Sequence, residues 1–386
     1  MGSTIAVIGA GYVGLTTGAC FAHLGHKVTC ADVVEAKVDS LQRGEIPIHE
    51  AGLEELVRAG MDNGNLSFVV DSEKAVRDAE FVYLCVPTPQ TAEGPADLRY
   101  LTAAAKQISP NLQPGTIVVN KSTVPVGSTL LVEQALGRSD IPVVSNPEFL
   151  REGSAVDDFL HPDRVVIGSD DEAAASHVAS LYVDCGAPIM VTDPASAETC
   201  KYAANAFLAT KLSFTNAIAA VCEAVGADVN DVLLGMGYDH RIGREFLRPG
   251  PGWGGSCLPK DSNAIISIAE DAGYDFALMR GVIQANDEQF DRIVRKVESV
   301  TSLDGATVGV LGIAFKAGTD DTRESPAIEV MKRLLAKGAM VRAYDPAVTS
   351  LNLDGVDVVG NAYAACEGAS AIVVATEWDE FTSLDF

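Results

Sequence analysis

Over the first half of the chain, short apolar runs rich in β-branched residues alternate with segments whose apolar residues recur at helical spacing. The opening stretch, TIAVIGAGYVGLTTGACFAHLGHKVTCAD, shows the form. An apolar run meets Gly9-x-Gly11-x-x-Gly14, helical periodicity continues to Gly25, and a second run, Lys27 to Ala31, stops at Asp32. EFVYLCVPTP, TIVVNKSTVPVGST, PVVSNPEFLREGSA and RVVIG repeat the apolar run and end it in a polar or proline-bearing loop, with helical stretches between several of them. Buried strands alternating with helices predict a doubly wound parallel sheet with ligand loops at the carboxyl ends of its strands.

The pattern changes at Asp193-Pro194, which reads as an N-cap followed by proline at the first helical position. Helical sequence then runs through CKYAANAFLATKLSFTNAIAAVCEAV to a stop at Gly226. About thirty residues give a helix near ~45 Å long. Its apolar residues occupy more than one face, so a second domain on one side and a partner subunit on the other are expected to cover it. From about Ser302 the strand pattern returns in TVGVLGIAF, AMVRAYDP and AIVVAT, with Ser325-Pro326 capping the helix PAIEVMKRLLAKG. This is a second βαβ unit without a glycine triplet. A nucleotide held there would rely on side chains such as Lys316 and Arg323. The whole reads as an α/β chain: two Rossmann-like doubly wound parallel-sheet domains joined by a long central helix. The expected boundaries are 1–193, 194–300 and 301–386.

Length alone, 386 residues, fits two or three domains. Basic residues number 28 against 53 acidic, a formal net charge of −25. That field repels nucleic acid and anionic membrane, so neither is an expected partner, and an anionic substrate would need a locally basic pocket. The eight cysteines (20, 30, 85, 185, 200, 222, 257 and 366) form no C-x-x-C pair, and several fall in apolar periodic segments. This argues against zinc or any other metal site and against a disulfide framework, and points to a reducing cytoplasm. The N-terminal MGSTIAVIGAGYVG lacks a basic leader and reads as a strand, not a signal peptide. No apolar run is expected to be long enough to span a bilayer.

The candidate chemistry is unevenly spread. Strand, glycine triplet, helix, strand and acidic terminus in that order are a dinucleotide fingerprint. The glycines admit a pyrophosphate at the helix N-terminus, while Asp32 would bond an adenosine ribose and repel a 2′-phosphate, favouring NAD over NADP. Thr88, Thr123 and Glu148 sit in loops after strands, where turn chemistry alone would also explain them. Lys201 and Asn205 are four apart and share a helix face, as a satisfied polar contact or as parts of a site. The stretch GPGWGGSCLPKD, residues 250–261, delivers Cys257 just before helical sequence that begins near Asp261 and stops at Gly273. A helix N-terminus and the nearby Lys260 favour a thiolate, and Asp261 is a natural N-cap. Pro251 and Pro259 fix the flanks, and Gly250, Gly252, Gly254 and Gly255 leave room for a ligand against backbone. A reactive thiol beside a nicotinamide site suits two successive oxidations, alcohol to aldehyde and then, through a thiohemiacetal and thioester, to acid. The competing readings are a two-electron sugar or hydroxyacid dehydrogenase with a structural Cys257, and a non-catalytic binding or interaction module.

The motifs GAGYVG, VPTP, STVPVG, NPEFLREG, CKYAANAFLATKLSFTN, RIGREFLRPGPGWGGSCLPKD and FKAGTDDTRES together resemble the UDP-glucose/GDP-mannose dehydrogenase family, essentially end to end. GGSCLPKD with NPEFLREG is far more specific than the glycine triplet. The resemblance implies Cys257 as nucleophile and Lys201 and Asn205 as oxyanion donors. Asp261 would activate water or position Lys201, while Thr123 and Glu148 hold a catalytic water, with the general base open among these three. It implies NAD contacts from Gly9, Gly11, Tyr12, Val13, Gly14, Asp32, Lys37, Thr88, Thr123, Glu152, Lys260 and Arg323. The nucleotide-sugar pocket would be lined by Glu148, Phe149, Leu150, Lys201, Asn205, Phe246, Leu247, Gly254 and Lys316. Arg241 would reach a neighbouring subunit's site in a homodimer built on the central helix. Ser256, where other members carry histidine, points to glucose or mannose, and overall similarity favours UDP-glucose over GDP-mannose. The family continues past EWDEFTSLDF into a segment whose arginine touches the uridine diphosphate, so the last domain is expected to be cut short.

Overall fold

In the computed structural model, which describes residues 2–89 and 96–385, the β-branched runs become strands with a different apolar cluster on each face. Successive side chains of a strand point to opposite faces. Ile5 and Val7 of β1 (Thr4–Ile8) accordingly pack on one side of the sheet, Ala6 and Ile8 on the other. The strands that follow are β2 (Lys27–Ala31), β3 (Leu66–Val69), β4 (Phe81–Leu84), β5 (Ile117–Asn120), β6 (Val143–Ser145), β7 (Val165–Gly168) and β8 (Ile189–Thr192). Among the described residues they form one sheet in the order β3-β2-β1-β4-β5-β6-β7-β8. The order reverses direction between β1 and β4, which places the glycine loop beside the loop after β4 at the carboxyl ends of the strands. This sheet belongs to the first of two compact units, Met1–Tyr202.

One strand pairing departs from the all-parallel expectation. β6 and β7 pair antiparallel through Ser145 and Gly168, while β7 and β8 run parallel to each other. The connection from β6 to β7 holds only the short helix Ala155–Leu160, so the chain is not carried back by a full crossover helix. Hydrophobic period does not encode strand direction.

The second unit, Ala203–Phe386, carries a four-stranded parallel sheet. Its strands are β9 (Thr307–Leu311), β10 (Met340–Tyr344), β11 (Val356–Val358) and β12 (Ala371–Val374), in the order β11-β10-β9-β12. The helix Pro326–Ala336 buries Ala327, Val330, Met331 and Leu334, at helical spacing, in the same core as Phe290, Val294 and Val297 of the helix Ala277–Val300. Ser325 precedes that first helix as expected, but its hydroxyl makes no cap. It donates instead to the Ile313 carbonyl, just past β9, at 2.7 Å.

The central helix spans Pro194–Val225, 32 residues. Asp193 caps it by accepting from the Ser196 N–H at 2.8 Å, and Gly226 ends it in the left-handed region at φ 75°. By length and composition it is apolar enough to cross a membrane, with a mean hydropathy of 1.2 over an 18-residue window, contrary to the reading of the sequence. Its polar residues nevertheless bond to protein: Glu198 to the Gly127 and Thr129 N–H groups, Ser213 to the Val282 carbonyl, Asn216 to the Gly250 N–H.

Candidate functional site

In the first unit the candidate residues sit in five loops at the carboxyl ends of strands, after β1, β2, β4, β5 and β6. The Tyr12–His23 helix starts at Gly11 with no side-chain cap and no acidic residue in its first turn. A Cβ on Gly14 would lie 1.8 Å from the Gly9 carbonyl oxygen, so only glycine lets that turn press against the loop. A Cβ on Gly11 would meet nothing within 4 Å. Uncapped N–H groups beside open space at a helix N-terminus suit a pyrophosphate, so these residues fit the dinucleotide.

Asp32, at the end of β2, is buried, and three donors meet its carboxylate. Its Oδ2 accepts from the Ala10 N–H at 2.9 Å and from Lys37 Nζ at 2.8 Å, and its Oδ1 from the Val34 N–H at 3.0 Å. Burial opposes its ionisation, but Lys37 and the two backbone donors outweigh burial and hold its pKa below the usual carboxylate value. Lys37 therefore meets Asp32 directly.

The sequence reading missed Glu50. This buried carboxylate bonds the Tyr12 hydroxyl and accepts from the Gly153 N–H at 2.7 Å and the Ala155 N–H at 2.8 Å. It ties the glycine loop to the segment that carries Glu152. Burial, with the neighbouring Glu50 carboxylate, pushes the Tyr12 hydroxyl well above its usual pKa. Nothing in HEAGLEEL marks one of three glutamates as buried.

Around the β6 loop, six expected residues meet: Glu148, Phe149, Leu150, Thr123, Thr88 and Lys201. Glu148 Oε1 lies 3.0 Å from Lys201 Nζ and 3.5 Å from Thr123 Oγ1, and its Oε2 accepts from the Leu150 N–H at 2.7 Å. Thr88 Oγ1 donates to the Thr123 carbonyl at 2.7 Å. Lys201 Nζ lies 5.4 Å from the Phe149 ring centre, and the Arg164 guanidinium stacks on that ring at 3.6 Å. Glu148 is buried, which alone would raise its pKa, yet the charge and hydrogen bond of Lys201 lower it overall.

In the second unit Cys257 is the residue preceding the helix Leu258–Asp271, half-buried, with its Sγ 3.6 Å from Ser256 Oγ. Asp261 is not the cap expected of it. The helix starts earlier, and Asp261 lies inside its first turn, fully buried. Its carboxylate accepts from Asn205 Nδ2 at 2.5 Å and from Lys260 Nζ at 2.8 Å. Helical period could not show that cation and amide converge on this carboxylate, so capping looked sufficient.

The glycines before Cys257 serve protein packing more than open space. A Cβ on Gly254 would fall 1.8 Å from the Glu324 carbonyl oxygen, and one on Gly255 would press into the Phe315 ring at 2.7 Å. Asn286, unremarked in the sequence, clamps the Trp253 backbone on both sides, accepting from its N–H at 2.8 Å and donating to its carbonyl at 2.9 Å. Trp253 Nε1 donates to Ser213 at 2.9 Å. The thiol thus sits on a fixed backbone.

Arg241 and Arg323 are exposed and form forked pairs with Asp239 and Asp321. Lys316 lies 5.8 Å from the Phe315 ring centre. Phe246 has a left-handed φ of 61°, and Leu247 is buried. All eight cysteines are free thiols.

A dinucleotide loop on one sheet and a cysteine held at a helix start in the second unit define a nicotinamide-dependent oxidoreductase. Comparison with known proteins narrows this. Residues 3–185, 195–288 and 309–386 match the NAD binding, central and UDP binding domains of the UDP-glucose/GDP-mannose dehydrogenase family, and the chain belongs to that family. It is 46% identical to the UDP-glucose 6-dehydrogenase TuaD of Bacillus subtilis, over 99% of this chain and 85% of that one. It is 45% identical to the UDP-glucose 6-dehydrogenase of Rhizobium meliloti, over 99% and 91%. A UDP-glucose dehydrogenase structure from the archaeon Pyrobaculum islandicum superposes with a TM-score of 0.96 at 40% identity, covering 100% of this chain and 92% of that one. The family resemblance, the fold class and the use of NAD expected from the sequence all stand.

Proposed function

We propose that the protein oxidises UDP-glucose to UDP-glucuronate in two successive hydride transfers, with Cys257 as the nucleophile. One observation carries this reading: a thiol held at a helix start by a backbone that Trp253, Asn286 and the Arg323–Glu324 turn immobilise. A helix N-terminus favours the thiolate.

NAD would be held at the Gly9–Gly14 loop and by Asp32, and two NAD molecules bound in succession would each supply the acceptor for one hydride. In the first oxidation, the sugar's sixth carbon goes from alcohol to aldehyde, and the hydroxyl proton leaves to a base. The Cys257 thiolate then adds to the aldehyde carbon, forming a carbon–sulfur bond and an oxyanion. Lys201 and Asn205 stabilise that oxyanion as preformed donors. Loss of the second hydride leaves a thioester; water adds, the carbon–sulfur bond breaks, and the carboxylate departs. Asp261 holds Asn205 in place, since its carboxylate accepts from the amide nitrogen. Glu148 with Thr123 positions the water, and the base is one of Asp261, Glu148 and Thr123 with its water. The relatives named for UDP-glucose, the match to a UDP binding domain, and Ser256 before the cysteine support UDP-glucose as substrate.

Two NADH per sugar consumed is the expected ratio. A ratio of one would exclude the thioester route and favour a simple alcohol dehydrogenase.

The central helix supports a homodimer. Phe207, Phe214 and Val221, seven apart and so on one face, are all exposed, Phe207 by 65%. Such an apolar stripe suits a second copy of the helix. Sedimentation at twice the chain mass is expected for the protein, and at the single-chain mass for Phe207→Glu with Phe214→Glu; a parent protein sedimenting as one chain would refute it. Free thiols throughout suit a cytoplasmic location.

A further inference from the structure

Beneath the Glu148 loop lies a buried cation that the proposed mechanism leaves unused. Lys121 follows β5 and is 4% exposed. Among the described residues no carboxylate is in hydrogen-bonding contact with its ammonium: Nζ donates to Asn146 Oδ1 at 3.1 Å and to the Tyr182 hydroxyl at 3.4 Å. The rings of Tyr182 and Phe159 lie 5.6 and 5.9 Å from it. Burying an ammonium without an ion pair is costly, and a structure seldom carries that cost without use.

Asn146 is the hub. Its Oδ1 accepts from Lys121 and, at 2.6 Å, from the Tyr182 hydroxyl. Its Nδ2 donates to the Val166 carbonyl at 2.9 Å, and its backbone N–H to the Asn120 carbonyl at 2.9 Å. Asn146 therefore pins the start of the loop to β5 and β7 at the antiparallel junction, two residues before Glu148. Lys121, Asn146, Glu148 and Phe149 line one cavity of about 40 Å³. Glu148 and Lys121 each feel the other's charge.

We propose that Lys121 is a positioning residue for the oxidation: it seats the Asn146–Leu150 loop through Asn146 and supplies Glu148 with a positive charge additional to that of Lys201. This rests on the reading that ionised Glu148 serves the reaction. Burial lowers the Lys121 pKa to about 8, partly offset by Cys85, Glu148 and Cys185, so the charge is present at neutral pH. The titratable groups facing this centre are Cys85, Cys185, Tyr182, Glu148 and Lys201, with Asp158 and Arg164 on the cavity wall. Removing the Lys121 charge takes away an interaction that favours the Glu148 anion. The Glu148 pKa must rise, and activity must begin to fall at a higher pH as the solution is acidified.

The test is the pH profile of NADH release from UDP-glucose for the parent protein, Lys121→Met, Lys121→Gln, Lys121→Arg and Glu148→Gln. The two uncharged variants should move the acid limb of kcat upward by roughly one pH unit, and Lys121→Arg should leave it in place. A lysine serving only to fill the core would change melting temperature without moving the limb. An unmoved limb in the uncharged variant that folds, or Arg shifting it as far as Met, overturns the proposal alone, provided Glu148→Gln is impaired. Full turnover by Glu148→Gln overturns the reading of Glu148 and this proposal with it.

Discussion

Replacing Cys257 with alanine should abolish UDP-glucuronate formation, lowering it by roughly 10³-fold or more, the scale of losing a covalent nucleophile. The sulfur is needed because an aldehyde has no carbinol hydrogen to surrender until something adds to it. NAD affinity should stay within about a factor of three, since removing one thiol deletes no dinucleotide hydrogen bond. Fold should also survive: Cys257 is only half-buried, and Trp253 and Asn286 hold the backbone that leads to it. Product analysis by mass, with NAD binding measured separately, checks both halves. A parent protein slowed at hydrolysis and quenched during turnover should also carry a sugar on Cys257. Undiminished acid from Cys257→Ala would remove the central claim of the mechanism.

Gly254→Ala should be strongly damaging. The added carbon would fall 1.8 Å from the Glu324 carbonyl oxygen and 2.9 Å from Pro326 Cδ. Neither neighbour can give easily. Glu324 already holds a left-handed φ of 48°, and Pro326 opens a helix packed into the core. A forced shift should cost about 2–4 kcal/mol of stability and carry Cys257, three residues on, out of place. Gly250→Ala is the control, because a Cβ there meets nothing within 4 Å and should change stability by less than about 0.5 kcal/mol. Thermal melts of the two variants beside turnover decide it. Equal melting of Gly254→Ala and the parent would mean the close approach is wrong.

Much of the fold was legible because it depends on local rules. Strand and helix positions follow from period, and the ends of the long helix from Asp193 and Gly226. β2 was read from Lys27 to Ala31 and is found there. Failures came where two distant groups had to be weighed together. Asp261 looked like a cap because capping is local, whereas its actual partner on the central helix is 56 residues away in sequence. Ser325 looked like a cap for the same reason, and its hydroxyl serves a strand-end carbonyl instead. The side of Gly254 and Gly255 where a Cβ would stand is packed against Glu324 and Phe315, which spacing along the chain could not show.

The sequence by itself determined the two sheets, the dinucleotide loop and the family, and it offered candidate residues that did not include Glu50 or Lys121. Period, glycine placement and motif order are properties of neighbours along the chain, and backbone sterics and burial translate them directly into elements. Only the tertiary structure decided which of those residues share a charge or a proton: Glu148 with Lys201, Asp32 with Lys37, Asp261 with Asn205, Tyr12 with Glu50. It also decided that Lys121 is buried and that β6 and β7 run opposite ways. Electrostatic coupling depends on distance and burial in the folded state, and neither quantity is carried by spacing along a chain.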